Sequence, residues 1–581
     1  MLVKIHKNKG GIMKNKTMLV ALSAALSTSL FIPAANPASA QSSEGVKPTM
    51  EMKNNKDVKH KFHPIFSWDR PGPISPILHP GSAAGAGMVQ QPLDEIDPLM
   101  EEMISEGVMP GAVTFVARRG HIVKHDAYGY SYRYTDDKFT EAQNPIEMTE
   151  NTIFDLASIS KIFTTTAAMI LYDEGRFQLD DPVAEYIPEF AENGKENVTI
   201  RQLMTHTSGF TAWIPLYSQG SSREERMQIV FKHPLANEPG EAYTYSDLNM
   251  ITLGAIIERL SGQSLDEFVE KRITKPLGMK DTMYNPPESL KHRIAATEYQ
   301  PAINRGLVWG EVHDENAWSL DGVAGHAGVF STASDLAKFA HMYVNDGRYG
   351  GKRILKEETV KMLIQNQIPQ FPGDDHGLGW ELGQGWFMDA LSEGTSLGHT
   401  GYTGTSIVIN RNNGTIAILL TNRVHPSRNT VTTNIARRAF ARQVADSIPV
   451  AIPGIGPAWF SGYGDKVQHE LTAKVDLKEE AVLSFDTWYR TETNADMSLV
   501  EFSEDGVNWE QAAQPYTGSS IDWKKEKLTI PAGTSHIRFR YVTDSTVNGR
   551  GWYVDNVKLQ LSEGQKVTPA LSGNGWEKRN Y

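Results

Sequence analysis

No cysteine occurs anywhere in the 581 residues, which excludes a thiol nucleophile, a thiolate metal site, disulfide bonds and lipid attachment through sulfur. Long hydrophobic runs are missing as well. The apolar stretch from Met18 to Ile32 is broken by Ser23, Ser27, Thr28 and Ser29, and falls short of the roughly 20 residues that a membrane-spanning helix needs. Positive charge is also in deficit: the formal balance is −12. No basic patch or nucleic-acid motif offsets that field, so no nucleic acid partner is expected.

What is present begins at the N-terminus. Lys4, Lys7, Lys9, Lys14 and Lys16 precede the Met18–Ile32 run, no acid occurs in the first forty residues, and Ala38-Ser39-Ala40 follows. A positive segment, an apolar segment and a small-residue cleavage site make a secretory signal peptide over 1–40, cut before Gln41. Met13 is an alternative start. Cleavage removes five lysines and takes the formal charge from −12 to −17. A secreted chain without disulfides must be stabilised by packing, and one of this length holds a catalytic unit plus accessories.

Residues 41–91, with Pro71-Gly72-Pro73 and Pro80-Gly81, lack sustained periodicity and read as a flexible linker. Leu93, Ile96, Leu99, Met100, Met103 and Ile104 fall at helical spacing, and Pro110-Gly111 leads into a hairpin of apolar strands, 112–117 and 122–128. The middle is mostly helical in period. Two apolar runs, 406–410 and 415–420, then flank Asn413-Gly414, a strong hairpin signal, before a helix over about 431–444. Strands at both ends with helices between predict an α+β domain over 92–447: an antiparallel sheet covered by helices, with an inserted helical lobe. Residues 448–458, rich in Pro and Gly, read as a linker. Short aromatic and β-branched runs over 459–562 predict an all-β sandwich, with 563–581 as a tail. No internal repeat is found.

The local signal for chemistry is Ser158-Ile159-Ser160-Lys161 at the start of a helical pattern. An i, i+3 pair places a hydroxyl and an amine on one face. A serine becomes a nucleophile once a neighbour takes its proton, and an amine desolvated near a helix N-terminus can do so. Alone, this spacing is common by chance and reads first as a capped helix bearing a surface lysine. Tyr245-Ser246-Asp247 and His399-Thr400-Gly401 follow in the order that changes the reading.

Together these motifs resemble the serine β-lactamase and penicillin-binding protein superfamily, which is built from S-x-x-K, Y-x-N or S-x-N, and K-T-G or H-x-G. Tyr at the first position of the second motif makes the chain similar to the class C β-lactamase-like serine hydrolases. The likeness continues through Leu203-Met204-Thr205-His206-Thr207-Ser208-Gly209, Ala324-Gly325-His326-Ala327-Gly328 and Phe330-Ser331-Thr332, over roughly 93–445. The resemblance implies a β-lactamase/transpeptidase-like fold, Ser158 as acylated nucleophile and Lys161 as its proton acceptor. It implies that Tyr245, its phenol pKa lowered by the ammonium, shares that proton, and that the backbone N–H groups of Ser158 and Tyr402 form an oxyanion hole. His399 would complete the catalytic set, Thr400 and Gly401 would shape the substrate edge, and His206 would be architectural.

Two departures bear on substrate. Asp247 stands where β-lactamases and peptidases have Asn, and an ionised carboxylate cannot donate to an acyl carbonyl. His399 stands where many relatives have Lys, and a histidine is a weaker anchor for a substrate carboxylate than a lysine. Both disfavour efficient penicillin hydrolysis.

Val312-His313-Asp314-Glu315-Asn316-Ala317 is similar to the branch that includes exo-acting N-acetylmuramoyl-L-alanine amidases of bacilli. His313 and His326 are therefore expected at the substrate rim, and the implied substrate is a small molecule or muropeptide. The alternatives are a carboxylesterase and a protein that binds penicillin or cell wall without turnover. His313, Asp314 and His326 are also zinc-ligand types, but a Ser, Lys and Tyr set needs no metal, so no metal or cofactor is expected.

In the C-terminal region, Ser503-Glu504-Asp505-Gly506-Val507-Asn508-Trp509 and Gly551-Trp552-Tyr553-Val554-Asp555-Asn556 resemble the jelly-roll modules of secreted immune inhibitor-type peptidases. This resemblance implies contact with cell wall or glycan. Asp505, Asp544 and Asp555 could supply oxygen ligands to calcium, although acids at turns are usually just solvated.

Overall fold

The computed structural model describes residues 73–581 except Thr395, Ile455 and Glu563. The expected signal peptide, its cleavage site and the linker up to residue 72 lie outside the described residues.

The first domain is built on β1 (Gly111–Arg118), β2 (His121–Tyr134), β3 (Ser396–Thr400), β4 (Ser406–Asn410) and β5 (Thr415–Thr421). They pair antiparallel in the order β2-β1-β5-β4-β3. The two-residue strand Glu381–Leu382 extends the β3 edge, and His79–Pro80 runs parallel to β2 on the other. The N-terminal hairpin and the C-terminal hairpin thus meet at β1 and β5, as the strand pattern predicts.

Every residue of β1 is buried because helices cover both faces of the sheet. The helices are α1 (Ile96–Ser105), α2 (Ser160–Asp173), α3 (Asp247–Ser261), α4 (Ala333–Val344) and α5 (Asn434–Asp446). Val113, Phe115, Ile407, Ile416 and Ile418 join the core that contains α2, α3 and α4. The alternate residues Ala112, Val116, Val408, Ala417 and Leu419 join the core of α1 and α5. The period-2 geometry of strands divides the side chains this way. Helix α2 is buried nearly all round, so its small amphipathic contrast reflects burial between layers.

Residues 73–91 differ from the linker reading. Ser75 N–H donates to Arg119 O and His79 N–H to Gly120 O, while Ala83, Ala86 and Met88 are buried in the α1/α5 core. Spaced small side chains bury without long periodicity, which is why this segment resembles a linker in sequence.

The C-terminal region is two facing antiparallel sheets, from β6 (Gln468–Lys474), β7 (Ala481–Arg490), β8 (Met497–Ser503), β9 (Lys524–Ile530), β10 (His536–Val542) and β11 (Gly551–Gln560). One sheet contains β9-β7-β11 and the other β8-β10-β6. Their inner faces share a core that includes Leu471, Phe485, Val500, Phe539 and Trp552. The segment expected as a tail enters both sheets: Ser572–Asn574 pairs with β6, and Glu577–Arg579 pairs with Ala458–Phe460. The expected linker 448–458 is packed too, with Val450 and Ile452 buried against Trp488 and Tyr553. Among the described residues, no helix is long and apolar enough to cross a membrane.

Candidate active site

Ser158 lies in a 3-10 turn, Ala157–Ile159, that continues into α2. Ala157 adopts φ 47°, a left-handed conformation that costs a residue with a Cβ about 1 kcal/mol. The surrounding hydrogen bonds hold it there. The buried Asp155 accepts Ala157 N–H at 2.8 Å with one oxygen and His313 N–H at 2.6 Å with the other. From the opposite side, Thr403 Oγ1 donates to Asp155 O at 2.8 Å and Thr405 Oγ1 to Leu156 O at 3.2 Å. The turn bearing Tyr402 is thereby stitched to the turn bearing Ser158. Gly401 is required for this closeness: a Cβ there would meet Leu156 O at 2.3 Å. The glycine thus makes room for backbone at the nucleophile turn, whereas the motif alone suggested room for substrate. Thr400 is half-buried at the end of β3.

One turn along, Lys161 is completely buried, with Nζ 2.8 Å from Ser158 Oγ and 2.8 Å from Asp247 Oδ1. It also donates to His326 O at 3.3 Å and lies 4.7 Å from the centre of the Tyr245 ring. Burial alone would push its pKa down. Asp247, then Tyr245, outweigh burial and raise it, so the resting amine is an ammonium. Tyr245 differs from expectation as well: burial raises its phenol above the ordinary value, and Lys161 reverses that only in part. The resting site is therefore an ion pair beside a neutral phenol.

Asp247 opens α3, its N–H bonded to Ala212 O at 3.0 Å. Gly325 lets the His326 loop lie on this helix, since a Cβ there would collide with Met250 O at 1.9 Å. His326 is buried, with Nε2 2.7 Å from Asp314 Oδ1. Asp247, Asp314 and His326 bring one ligand atom each within 4.8 Å of one another. These three form a set of possible cation ligands that differs from the zinc-ligand types noted in the sequence by having Asp247 where that set has His313. In this arrangement Lys161 engages Asp247 and His326 engages Asp314.

Three expected site histidines have roles inside the protein. His313 has its side chain only 3% exposed and Nε2 2.9 Å from Glu298, and its ring stacks on that of Tyr402 at 5.8 Å, so it is packed inside the protein and not exposed at a rim. His326 acts through its carbonyl on Lys161 and its ring on Asp314. His399 is 1% exposed, its Nδ1–H donating to Thr400 O at 2.8 Å and its ring 6.0 Å from that of Tyr245. Burial, aided by Lys161, pushes its pKa down to about 3, so it is neutral and packs behind Tyr245 without touching the nucleophile. His206 is architectural: its Nδ1 accepts Ser246 N–H at 3.1 Å and its ring lies 4.6 Å from Tyr245, holding the turn before α3.

Sequence reasoning passed over Asp155 and Glu381. Each is a lone acid in an apolar run, Phe154-Asp155-Leu156 and Trp380-Glu381-Leu382, and an acid in such a run signals a buried carboxylate with a task. Burial pushes Glu381 up to about 7, against the pull of Arg437 and Lys161.

A family model described as Beta-lactamase matches residues 94–442. The chain belongs to the β-lactamase family. A protein of Salmonella agona (strain SL483) named "Putative D-alanyl-D-alanine carboxypeptidase" is 34% identical over 384 residues, covering 60% of this chain and 87% of that one. A solved structure titled "A class C beta-lactamase" superposes with a TM-score of 0.50 at 19% identity, over 62% of this chain and 97% of that one, which shows the shared fold. This β-lactamase-family protein is a serine hydrolase of α+β fold, extended by C-terminal antiparallel sheets.

Proposed function

We propose that this hydrolase cleaves an amide of peptidoglycan-derived muropeptides through an acyl-enzyme on Ser158, as a muramoyl-L-alanine amidase or a peptidase. The observation that carries the reading is the chain of contacts from Ser158 Oγ to Lys161 Nζ to Asp247 Oδ1, each 2.8 Å.

In the proposed acylation, Ser158 Oγ bonds to the substrate carbonyl carbon as its proton passes to Lys161, and Lys161 passes one of its own to Asp247. The Ser158 and Tyr402 N–H groups hold the oxyanion. Tyr245 protonates the leaving amine as the C–N bond breaks, and recovers its proton from Lys161, which recovers one from Asp247. The net transfer is the serine proton to the amine. Water then enters by the reverse route and releases the acid.

The relative named for D-alanyl-D-alanine cleavage supports a wall-derived substrate. The neutral, buried His399 favours the amidase over a carboxypeptidase, which must anchor a terminal carboxylate. A second reading, a carboxylesterase, is favoured by Asp247: an ester leaving group departs with less proton donation than an amine, and no amide donor stands at 247. The proposal includes export with cleavage before Gln41, tested by N-terminal sequencing of the secreted protein, and wall contact through the sandwich, tested by pull-down on purified sacculi.

The deciding experiment incubates the protein and Ser158→Ala with muramoyl peptides, short-chain esters and a penicillin, and reads products by mass spectrometry. Free peptide released from muramic acid, lost in the variant, is the expected result. Turnover retained in Ser158→Ala would overturn the mechanism, and turnover of esters alone would overturn the amidase.

A further inference from the structure

We infer that Glu492, Asp496 and Asp544 form a Ca²⁺ site at the end of the sandwich that docks on the hydrolase domain. One carboxylate oxygen from each lies within 4.8 Å of the others. The strand register brings them together: Asp496 immediately precedes β8, Asp544 follows β10, and Met497 pairs with Val542. Asp496 is fully buried and accepts Glu492 N–H and Asp544 N–H, both at 3.3 Å.

Three carboxylates in such a space repel one another unless a cation joins them. Among the described residues, no lysine or arginine forms an ion pair with any of the three. The nearby guanidiniums are engaged elsewhere, Arg438 with Asp465 at 3.0 Å and Arg442 with Asp389 at 2.7 Å.

An independent feature also points to a ligand. Ser498, two residues beyond Asp496 on the same inward strand face, and Tyr541, directly opposite it in register, are both fully buried. Neither hydroxyl has a hydrogen-bond partner, and Asp496 is the foremost charged neighbour of the Tyr541 phenol. Glu492 Oε2 is buried and unpartnered as well. A hydrated ion held by the carboxylates would supply those groups with partners.

The chemistry of the donors selects the metal. They are all oxygen, with no imidazole or thiolate, which suits a hard cation, and they come from turns that can adapt to the six to eight ligands of Ca²⁺ better than to the strict octahedron of Mg²⁺.

The location gives the site a consequence. Asp544 begins the loop that reaches the hydrolase domain, where Thr546 O accepts Arg438 Nη1 at 2.7 Å and Asn548 N–H donates to Asp389 Oδ1 at 2.6 Å. A cation that fixes Asp544 therefore fixes this latch. The acids named from sequence alone divide differently: Asp505 accepts Val507 N–H and Asn508 N–H within its own turn, and Asp555 accepts from Asn556.

The test is calorimetric titration of CaCl₂ into the EDTA-treated full chain, with thermal melts at each concentration. One saturable site with Kd about 0.1–1 mM is expected, with Tm rising with Ca²⁺ and rising less with Mg²⁺. Glu492→Gln and Asp544→Asn should lose the heat and the Tm rise, while Asp505→Asn keeps both. In EDTA the two neutral variants should melt no lower than the parent, because repulsion is relieved. Absence of a saturable heat by 10-fold above that Kd range overturns the site, as does binding retained in both variants.

Discussion

Asp247 Oδ1 stands 2.8 Å from Lys161 Nζ, and the same separation divides that amine from Ser158 Oγ. The lysine is held between a carboxylate and the nucleophile. In the proposed mechanism this ion pair makes Asp247 the group that finally holds the serine proton during acylation.

Asp247→Asn removes that acceptor and adds an N–H donor for an acyl carbonyl. Burial then acts on Lys161 without its strongest opponent, and its pKa falls. Turnover of the native substrate is expected to drop about 100-fold, the low end of general acid–base contributions, while acylation of Ser158 by a fluorescent penicillin accelerates. Stopped-flow acylation and steady-state kcat check both directions. An unchanged kcat would remove Asp247 from the proton path.

Glu381 makes stability depend on pH. Its folded pKa of about 7 lies above its ordinary 4.5, so the folded state holds its proton more tightly than the unfolded chain. Its stabilising contribution is fully present below about pH 4.5 and is lost as pH rises through about 7. The amount is on the order of 3 kcal/mol. Asp389, also raised by burial to about 7, acts in the same sense. Glu381→Gln should flatten the fall in urea midpoint between these limits, leaving the Asp389 part; a parent curve that rises over this range would contradict the assignment.

The parts of the site legible in sequence are those set by short spacing. Ser158 and Lys161 share a helix face by arithmetic, and Tyr245 and Asp247 share one turn. Strands β1 and β5 announce themselves by apolar runs beside turn residues. The bond from His313 N–H to Asp155 and the setting of Glu381 near Arg437 and Lys161 have no such signature, because those partners come from distant segments. The same limit explains why His313 is expected at the substrate rim and His399 in the catalytic set: sequence names the motif, while burial decides whether the ring is reachable or packed in the core. Residues 73–91 and 563–581 were passed over because strands of two or three residues are too short to show a period.

Asp155 holds the strained nucleophile turn with two charge-assisted bonds. Asp155→Asn keeps one acceptor oxygen but turns an NH₂ group toward either Ala157 N–H or His313 N–H, placing donor against donor. A loss of about 2 kcal/mol is expected, with kcat falling and KM nearly constant, since the substitution loosens the turn that carries Ser158. Denaturant titration and steady-state kinetics read the two effects separately, and a KM rise without loss of kcat would contradict them.

The C-terminal residues should behave as structure. Trp576 is 7% exposed and its ring lies 5.4 Å from that of Trp552 in the sandwich core. Arg579, in the last short strand, bonds Asp446 at 2.6 Å at the end of α5 in the hydrolase domain. Trp576→Ala therefore opens a cavity in the sandwich and should cost about 3 kcal/mol. Arg579→Ala leaves the core filled but strips Asp446 of its guanidinium, weakening the junction between the domains. In calorimetry, Trp576→Ala should lower the melting of the sandwich while Ser158 still acylates, whereas Arg579→Ala should separate the melting of sandwich and hydrolase domain. If removal of residues after Ser562 leaves the melting profile unchanged, the C-terminal strands contribute nothing to the sandwich and this account of them fails.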